Sequence, residues 1–185
     1  MLTTKGNTKV EEPKVIYFVG LDRSGKTTTR KRLAEITGEK YITFDRSYID
    51  NLVYDEVLRG KRIEKTFIKR YFNRFSRLPG QSIVFIDISP RISCKRALET
   101  EGIEYDVELM EATRLGFLKY LKIAKGYGIE VIIIKPGKKT QDGIAKQIVK
   151  TLEKDVSTPK KKVYNSGNKI KRCIASKEKK KLRRR

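Results

Sequence analysis

The stretch VIYFVGLDRSGKTTTRKRL, residues 15–33, constrains the fold more than any other part of the sequence. An apolar run rich in β-branched and aromatic residues stops at Gly20, and a helical pattern begins at Lys26. Gly20, four further residues, Gly25, Lys26 and Thr27 have the spacing of a phosphate-binding loop between a strand and a helix. Main-chain NH groups of such a loop, together with the helix N-terminus, face phosphate oxygens. The segment therefore predicts nucleotide binding.

Three further apolar runs predict strands, and helical patterns alternate with them. The strands are predicted at Lys40–Phe44, Ser82–Ser89 and Ile129–Lys135. The last two are apolar at nearly every position, which is typical of strands buried on both faces of a parallel sheet. Strands alternating with helices predict an α/β fold, with a doubly wound parallel sheet of four to five strands flanked by helices and a short lid.

Composition divides the chain into three parts. Residues 1–12 predict a flexible leader, residues 13–155 the folded domain, and residues 156–185 a basic, disordered tail. The 185-residue chain has a formal net charge of +22, and residues 157–185 hold thirteen basic residues and one acidic residue. This charge favours polyanionic ligands. The tail predicts contact with a nucleic acid or an acidic protein, and a solvated appendage is the alternative.

The remaining composition predicts a protein of the reducing cytoplasm. No apolar run has the length of a membrane span, so no membrane partner is expected. The N-terminus lacks the charged-then-apolar pattern of a signal peptide. Cys94 and Cys173 are therefore expected to be free thiols.

Each residue type in the glycine loop suits a nucleotide triphosphate. Lys26 is expected to reach the β- and γ-phosphates, and Thr27 to offer its hydroxyl to Mg²⁺. Arg23 lies inside the loop, where its guanidinium could stabilise charge on the γ-phosphoryl group; a solvated loop arginine is the alternative. The predicted ATP-binding residues of the loop are Gly20, Asp22, Arg23, Ser24, Gly25, Lys26, Thr27 and Thr28.

The sequence GLDRSGKTT, residues 20–28, resembles the phosphate loop of thymidylate kinases. In particular, it resembles the subgroup that carries its catalytic arginine in this loop rather than on a mobile lid. The resemblance implies ATP as phosphate donor, Mg²⁺ as cofactor and Arg23 as a catalytic residue. The candidate lid, Leu98 to Asp106, contains no lysine or arginine, which agrees with that division.

A second segment, from Phe44 to Gly60, carries the acceptor prediction. Asp45 and Arg46 follow a strand, where ligands gather in open α/β sheets, and they resemble the Asp-Arg motif of thymidylate kinases. The resemblance implies that Arg46 holds the acceptor's phosphate and that Asp45 lies near the metal or the sugar. Tyr48 and Tyr54 are predicted to line the nucleoside pocket. A local ion pair between Asp45 and Arg46 is the alternative.

Three later residues complete the predicted site through the same resemblance. Asp87 follows an apolar strand and is predicted to contact Mg²⁺ through water, with a helix-capping role as the alternative. Arg96 matches the arginine that packs against adenine in the family. Arg114 matches a substrate-contacting arginine, with an ion pair to Glu111 as the alternative.

Three functions stay open from the sequence. The first is a nucleoside monophosphate kinase converting dTMP to dTDP. The second is a deoxynucleoside kinase, since DRS at residues 45–47 also resembles the acidic-Arg-Ser motif of that family. The third is a nucleic-acid-binding protein on a kinase-like scaffold. Only eighteen residues separate Lys26 from Asp45, so the Arg-Glu-Pro-Gly segment of thymidylate kinases is missing and two strands are expected to be merged. The predicted partners are nucleotide substrates and, as an open alternative, a second copy in a homodimer.

Overall fold

The computed structural model describes residues 14–154, and these residues form one four-stranded parallel sheet with helices on both faces. The predicted leader and tail lie outside the described residues. The strands are β1 Val15–Val19, β2 Ile42–Asp45, β3 Gln81–Ile86 and β4 Glu130–Ile134, in the order β2-β1-β3-β4. The helices are α1 Lys26–Thr37, α2 Tyr48–Val57, α3 Lys65–Phe75, α4 Pro90–Glu101, α5 Val107–Gly126 and α6 Gln141–Lys154. The predicted α/β architecture is confirmed.

The two central strands divide their side chains between two hydrophobic clusters. Ile16 and Phe18 of β1 join a cluster with residues of α1 and α6, such as Leu33 and Ile148. Val19 of β1 joins the opposite cluster, which contains residues of α2, α3 and α5. Alternation along a strand sends successive side chains to opposite faces, and the central strands are therefore apolar throughout.

The two edge strands are less buried than the two central strands. Ile133 of β4 is 37% exposed, so the expectation that this strand is buried on both faces is wrong. β4 pairs only with β3, and one of its faces is incompletely covered by helices. On β2, Ile42 and Phe44 are 45% and 48% exposed. A single strand joins α1 to Asp45, as expected from the short spacing.

The predicted lid is shorter than its sequence suggests. Leu98 to Glu101 belong to the last turn of α4, which ends at Gly102 in a left-handed conformation. Only residues 102–106 lack regular structure before α5 begins. Residues 98–101 continue the mixed apolar and polar sequence of α4. The helix ends after them because Gly102 adopts the left-handed conformation of a C-cap.

Within residues 14–154, no helix combines the length and apolar character needed to cross a membrane. Cys94, on α4, is a free thiol and is partly exposed. Cys173 lies outside the described residues.

Candidate active site

The glycine loop between β1 and α1 contains two glycines, Gly20 and Gly25, at positions where a larger residue would be strained. Gly20 has φ +143°, and a Cβ atom there would lie 2.9 Å from the carbonyl oxygen of Ile86 on β3. Gly25 has φ +93° and forms the N-cap of α1. Both conformations favour glycine, so the loop folds tightly against β3 with the start of α1 behind it.

Lys26 lies under the loop and is only 7% exposed. Its Nζ donates to the carbonyl oxygens of Gly20 and Leu21, at 2.9 and 2.7 Å. Burial lowers the pKa of Lys26, while the carboxylates of Asp22 and Asp50 act in the opposite direction. The two hydrogen bonds hold the Lys26 amino group beneath the loop.

Thr27 connects the loop to the end of β2. Its hydroxyl donates to Asp45 Oδ2 at 2.6 Å. The second oxygen, Asp45 Oδ1, is buried and has no hydrogen-bond partner among the described residues. The parallel pairing of β1 and β2 aligns Phe18 with Asp45, and this register presents the carboxylate to the loop.

Arg46 has φ +81°, an uncommon conformation for a residue with a side chain. Its NH donates to the carbonyl oxygen of Phe18 at 2.8 Å, which anchors the chain just beyond β2. The guanidinium lies 3.4 Å from Asp22 Oδ1 and 5.7 Å from the ring centre of Tyr54. Asp45 and Arg46 thus contact the glycine loop and α2, and not each other.

These residues surround a cleft of about 530 Å³. It brings together the predicted loop residues Asp22 to Thr28, the predicted acceptor residues Asp45 and Arg46, and Arg96. The predicted residues Gly20, Tyr48, Tyr54, Asp87 and Arg114 are not among those that line this cleft. Its remaining lining comes from Thr100, Glu101, Tyr105 and Gln141.

Arg23, at the tip of the loop, forms an ion pair with Glu101 at the end of α4. Its Nε lies 3.1 Å from Glu101 Oε2. Arg96, one turn earlier on α4, donates to the main-chain oxygen of Arg23 at 3.0 Å. The loop tip is therefore held by α4 at both its side chain and its backbone. Arg23 also has φ +58°, so its backbone is in the left-handed region.

Asp87 and Arg114 form a bidentate pair that joins the end of β3 to α5. Arg114 Nε and Nη2 donate to the two Asp87 oxygens at 2.6 and 3.0 Å. These hydrogen bonds raise the pKa of Arg114. Glu111 also accepts from Arg114 at 3.2 Å, so the ion pair expected as an alternative for Arg114 is present. In this arrangement both carboxylate oxygens of Asp87 are engaged.

No protein-family model matches the chain, and no curated protein matches it in sequence. Among solved structures, it resembles the YorR protein of Bacillus subtilis, solved in complex with phosphorylated GDP. That match has a TM-score of 0.63 at 18% identity and covers 79% of this chain and 99% of YorR.

The chain has an α/β P-loop fold with a four-stranded parallel sheet, which it shares with known structures. A deoxyadenosine kinase from M. mycoides, solved with its products dCMP and dCDP, also matches with a TM-score of 0.55 and 12% identity. This match covers 76% of the present chain and 99% of the deoxyadenosine kinase. At such identities the likeness concerns the fold, and the residues above have to carry any functional argument.

Three polar residues near the cleft were not predicted from the sequence. Asp50 is 1% exposed on α2, and burial raises its pKa to about 6. Its Oδ2 accepts from the Ser47 NH at 2.7 Å, whereas Oδ1 has no hydrogen-bond partner within residues 14–154. The Ser-x-x-Asp spacing at residues 47–50, a capping-box variant, was the available signal.

The other two missed residues come from distant parts of the chain. Gln141, at the start of α6, accepts from the Thr29 hydroxyl at 2.7 Å and lies beside Gly25. Glu101 was considered only as part of a candidate lid that contains no lysine or arginine, and its pairing with Arg23 spans 78 positions. No local pattern signals either contact.

Proposed function

We propose that the protein is an ATP-dependent nucleoside monophosphate kinase, with dTMP as the expected acceptor. The observation that carries this proposal is that Asp45 and Arg46 line the same cleft as the glycine loop. ATP would bind at residues 20–28, with Lys26 beside its β- and γ-phosphates. Arg46 would hold the acceptor phosphate, since an anionic monophosphate needs a cation but no general base.

The residues present fit a magnesium ion, and the structure favours Asp45 over Asp87 for it. Thr27 and Asp45 offer a hydroxyl and a carboxylate within hydrogen-bond reach of each other, with Asp45 Oδ1 buried and unpartnered. Hard oxygen donors of this kind suit Mg²⁺. Asp87 is occupied by Arg114, so its predicted metal contact has less support. When bound, Mg²⁺ would neutralise phosphate charge during transfer.

Among residues 14–154, no cluster of three or more His, Cys, Asp or Glu side chains could hold a metal. The ion would therefore take its remaining ligands from nucleotide phosphates and water, as is usual for Mg²⁺ in kinases. Arg23 would leave Glu101 to contact the transferring phosphoryl group, and positioning of the two substrates would supply the rest of the rate enhancement.

A screen of acceptors tests this function. The purified protein is incubated with ATP and Mg²⁺ and with each nucleoside or nucleoside monophosphate, and ADP release is measured. We expect release with a deoxynucleoside monophosphate, and its loss in the Lys26→Met variant. Arg46→Gln should raise KM for the acceptor more than KM for ATP. Absence of ADP release with every acceptor would refute the kinase assignment.

A deoxynucleoside kinase is the second candidate, and two observations favour it. One neighbour in fold is a deoxyadenosine kinase. In addition, the unpartnered Asp45 Oδ1 could accept the proton of a sugar 5′-hydroxyl, as a nucleoside acceptor would require. Turnover of thymidine above that of dTMP, abolished by Asp45→Asn, would assign the protein to this class.

A further inference from the structure

A continuous row of aromatic rings runs from the exposed edge of the sheet to the surface of α3. Phe44 stacks on Tyr17 at 5.3 Å between ring centres, and Tyr17 lies 5.4 Å from Phe75. Phe75 contacts Tyr71 at 5.8 Å, and Tyr71 contacts Tyr48 at 4.9 Å. The row ends at Phe67, 5.9 Å from Tyr48.

Three rings of this row are open to solvent. Phe44, Tyr48 and Phe67 are 48%, 42% and 41% exposed. Single exposed apolar side chains are common and need no explanation. Three exposed rings supported by the same row of buried and half-buried rings form a more extended, rigid aromatic surface.

α3 and the residues that flank it carry exposed cations that have no carboxylate partner among the described residues. From residue 62 to residue 77 the sequence holds six basic residues and one acidic residue, Glu64. None of the six forms an ion pair with a described residue, although Arg59 and Lys61 just before them both pair with Asp55. The six are Arg62, Lys65, Lys69, Arg70, Arg74 and Arg77, and all are exposed.

The helix geometry places ring and charge side by side. Phe67, Arg70 and Arg74 lie at positions i, i+3 and i+7 of α3, on one side of the helix. Phe72 and Phe75 are buried on the other side. We define the α3 surface as the exposed group Phe44, Tyr48, Phe67, Arg70 and Arg74.

We propose that the α3 surface binds single-stranded nucleic acid. Rings that bases can stack on, set among cations that pair with phosphates, are the combination that sequence-tolerant single-strand binding uses. An acidic protein would satisfy the cations but would leave the exposed rings without a matching group. The proposal does not involve the basic tail.

The first experiment tests whether the cations of the α3 surface contact phosphates. Fluorescence anisotropy measures the affinity of the full-length protein for a labelled dT20 oligonucleotide. The Arg70→Gln/Arg74→Gln variant should bind more weakly, and the slope of log K against log salt should become shallower by about 1.4, since each single-strand phosphate contact contributes about 0.7. Lys146→Gln/Lys150→Gln is the matched control, with the same i, i+4 spacing and charge loss on exposed positions of α6. An equal change of slope in both variants would overturn the proposal.

A second probe tests the rings. An abasic oligomer of the same length keeps the phosphates but has no bases to stack. Wild-type protein should bind dT20 about fivefold or more tightly than the abasic oligomer, and Phe67→Ala should reduce this preference without changing the salt slope. Equal affinity of the wild type for both probes contradicts base stacking.

Competition separates nucleic acid from other polyanions. Poly-glutamate at the same charge concentration should displace dT20 less effectively than unlabelled dT20 does. Equally effective displacement would show that the α3 surface is an acidic-protein site or a general polyanion site, and would reject the proposal. Unchanged thermal unfolding and ADP release in all variants confirm that the comparisons concern binding.

Discussion

At the scale of single residues, Arg23 is held away from its proposed catalytic position by its ion pair with Glu101. The two guanidinium contacts hold Arg23 against α4, while its neighbours Ser24 to Thr28 line the cleft. Both partners are about one-third exposed, so water screens the pair and its contribution to stability is small. Breaking it to reach a phosphoryl group therefore requires little free energy.

Arg23→Ala should reduce kcat by about 100-fold or more, which is the usual effect of removing one group that stabilises transition-state charge. The Kd for ATP should change by only a few-fold, because Lys26 and the loop amides remain. Single-turnover kinetics and nucleotide titration measure the two quantities separately. Glu101→Gln is the control, since it breaks the same ion pair but keeps Arg23, and it should retain turnover. A threefold or smaller effect of Arg23→Ala on kcat would remove its catalytic role.

Asp50 gives a prediction about stability and pH. Burial raises its pKa in the folded protein to about 6, from an ordinary value of 3.8. The folded state therefore binds this proton more tightly than the unfolded state, and stability is lost as pH rises from about 4 to 6. Asn at position 50 does not titrate and can still accept from Ser47. Asp50→Asn should gain about 2–3 kcal/mol relative to wild type between pH 4 and pH 7.

Urea unfolding at several pH values measures this difference. Asp142→Asn is the comparison, because its ion pair with Arg32 lowers the pKa of Asp142. That carboxylate is ionised in both folded and unfolded protein at the upper end of the range, so Asp142→Asn should show no gain as pH rises. A pH-independent difference between Asp50→Asn and wild type would show that Asp50 is not destabilised by its burial.

At the scale of elements, the close approach of α2 and α5 depends on Gly116. A Cβ atom there would lie 3.0 Å from Val53 Cγ1 and 3.3 Å from Val57 Cγ2. Gly116→Ala should destabilise the protein by about 1 kcal/mol, since overpacking costs about 1–3 kcal/mol and alanine returns about 1 kcal/mol of helix propensity. Denaturant unfolding gives the value.

Two further variants test whether the close contact between residue 116 and Val53 is the reason that glycine is required. Gly126→Ala, at the open end of α5, has nothing within 4 Å of the new Cβ and should stabilise slightly. Val53→Ala removes the nearest methyl group, so the double variant Gly116→Ala/Val53→Ala should lose less stability than the sum of the two single variants. Additive losses would mean that the contact between α2 and α5 is not what requires glycine.

The sequence predicted those elements whose signals are local. The β1–loop–α1 unit was predicted correctly because its glycines, cation and apolar run are contiguous. The extent of α4 was misjudged, since its last turn has no distinct pattern before Gly102. The Asp87–Arg114 and Thr29–Gln141 contacts join residues 27 and 112 positions apart, and they arise only when helices pack on the sheet. Asp45 and Arg46, which line the cleft, were predicted as site residues because they follow directly after a strand.

At the scale of the whole molecule, the site is assembled from both faces of the sheet. The glycine loop passes from β1 to α1, which packs with α6 on one face, whereas Arg46 contacts Tyr54 of α2 on the other. In the proposed function, the donor and acceptor positions therefore depend on different helices. Ligands at the two positions should stabilise the folded chain separately.

Thermal unfolding with ligands tests this division. ATP at one hundred times its Kd should stabilise by about 2.7 kcal/mol, which raises Tm by about 5–10 °C for a folded unit of this size. Lys26→Met should abolish the ATP shift. A smaller shift with dTMP alone should disappear in Arg46→Gln, because we propose that Arg46 holds the acceptor phosphate. The ATP shift of that variant should persist. If Arg46→Gln leaves the dTMP shift intact, the acceptor phosphate binds elsewhere, and the two-position cleft is not the basis of the reaction.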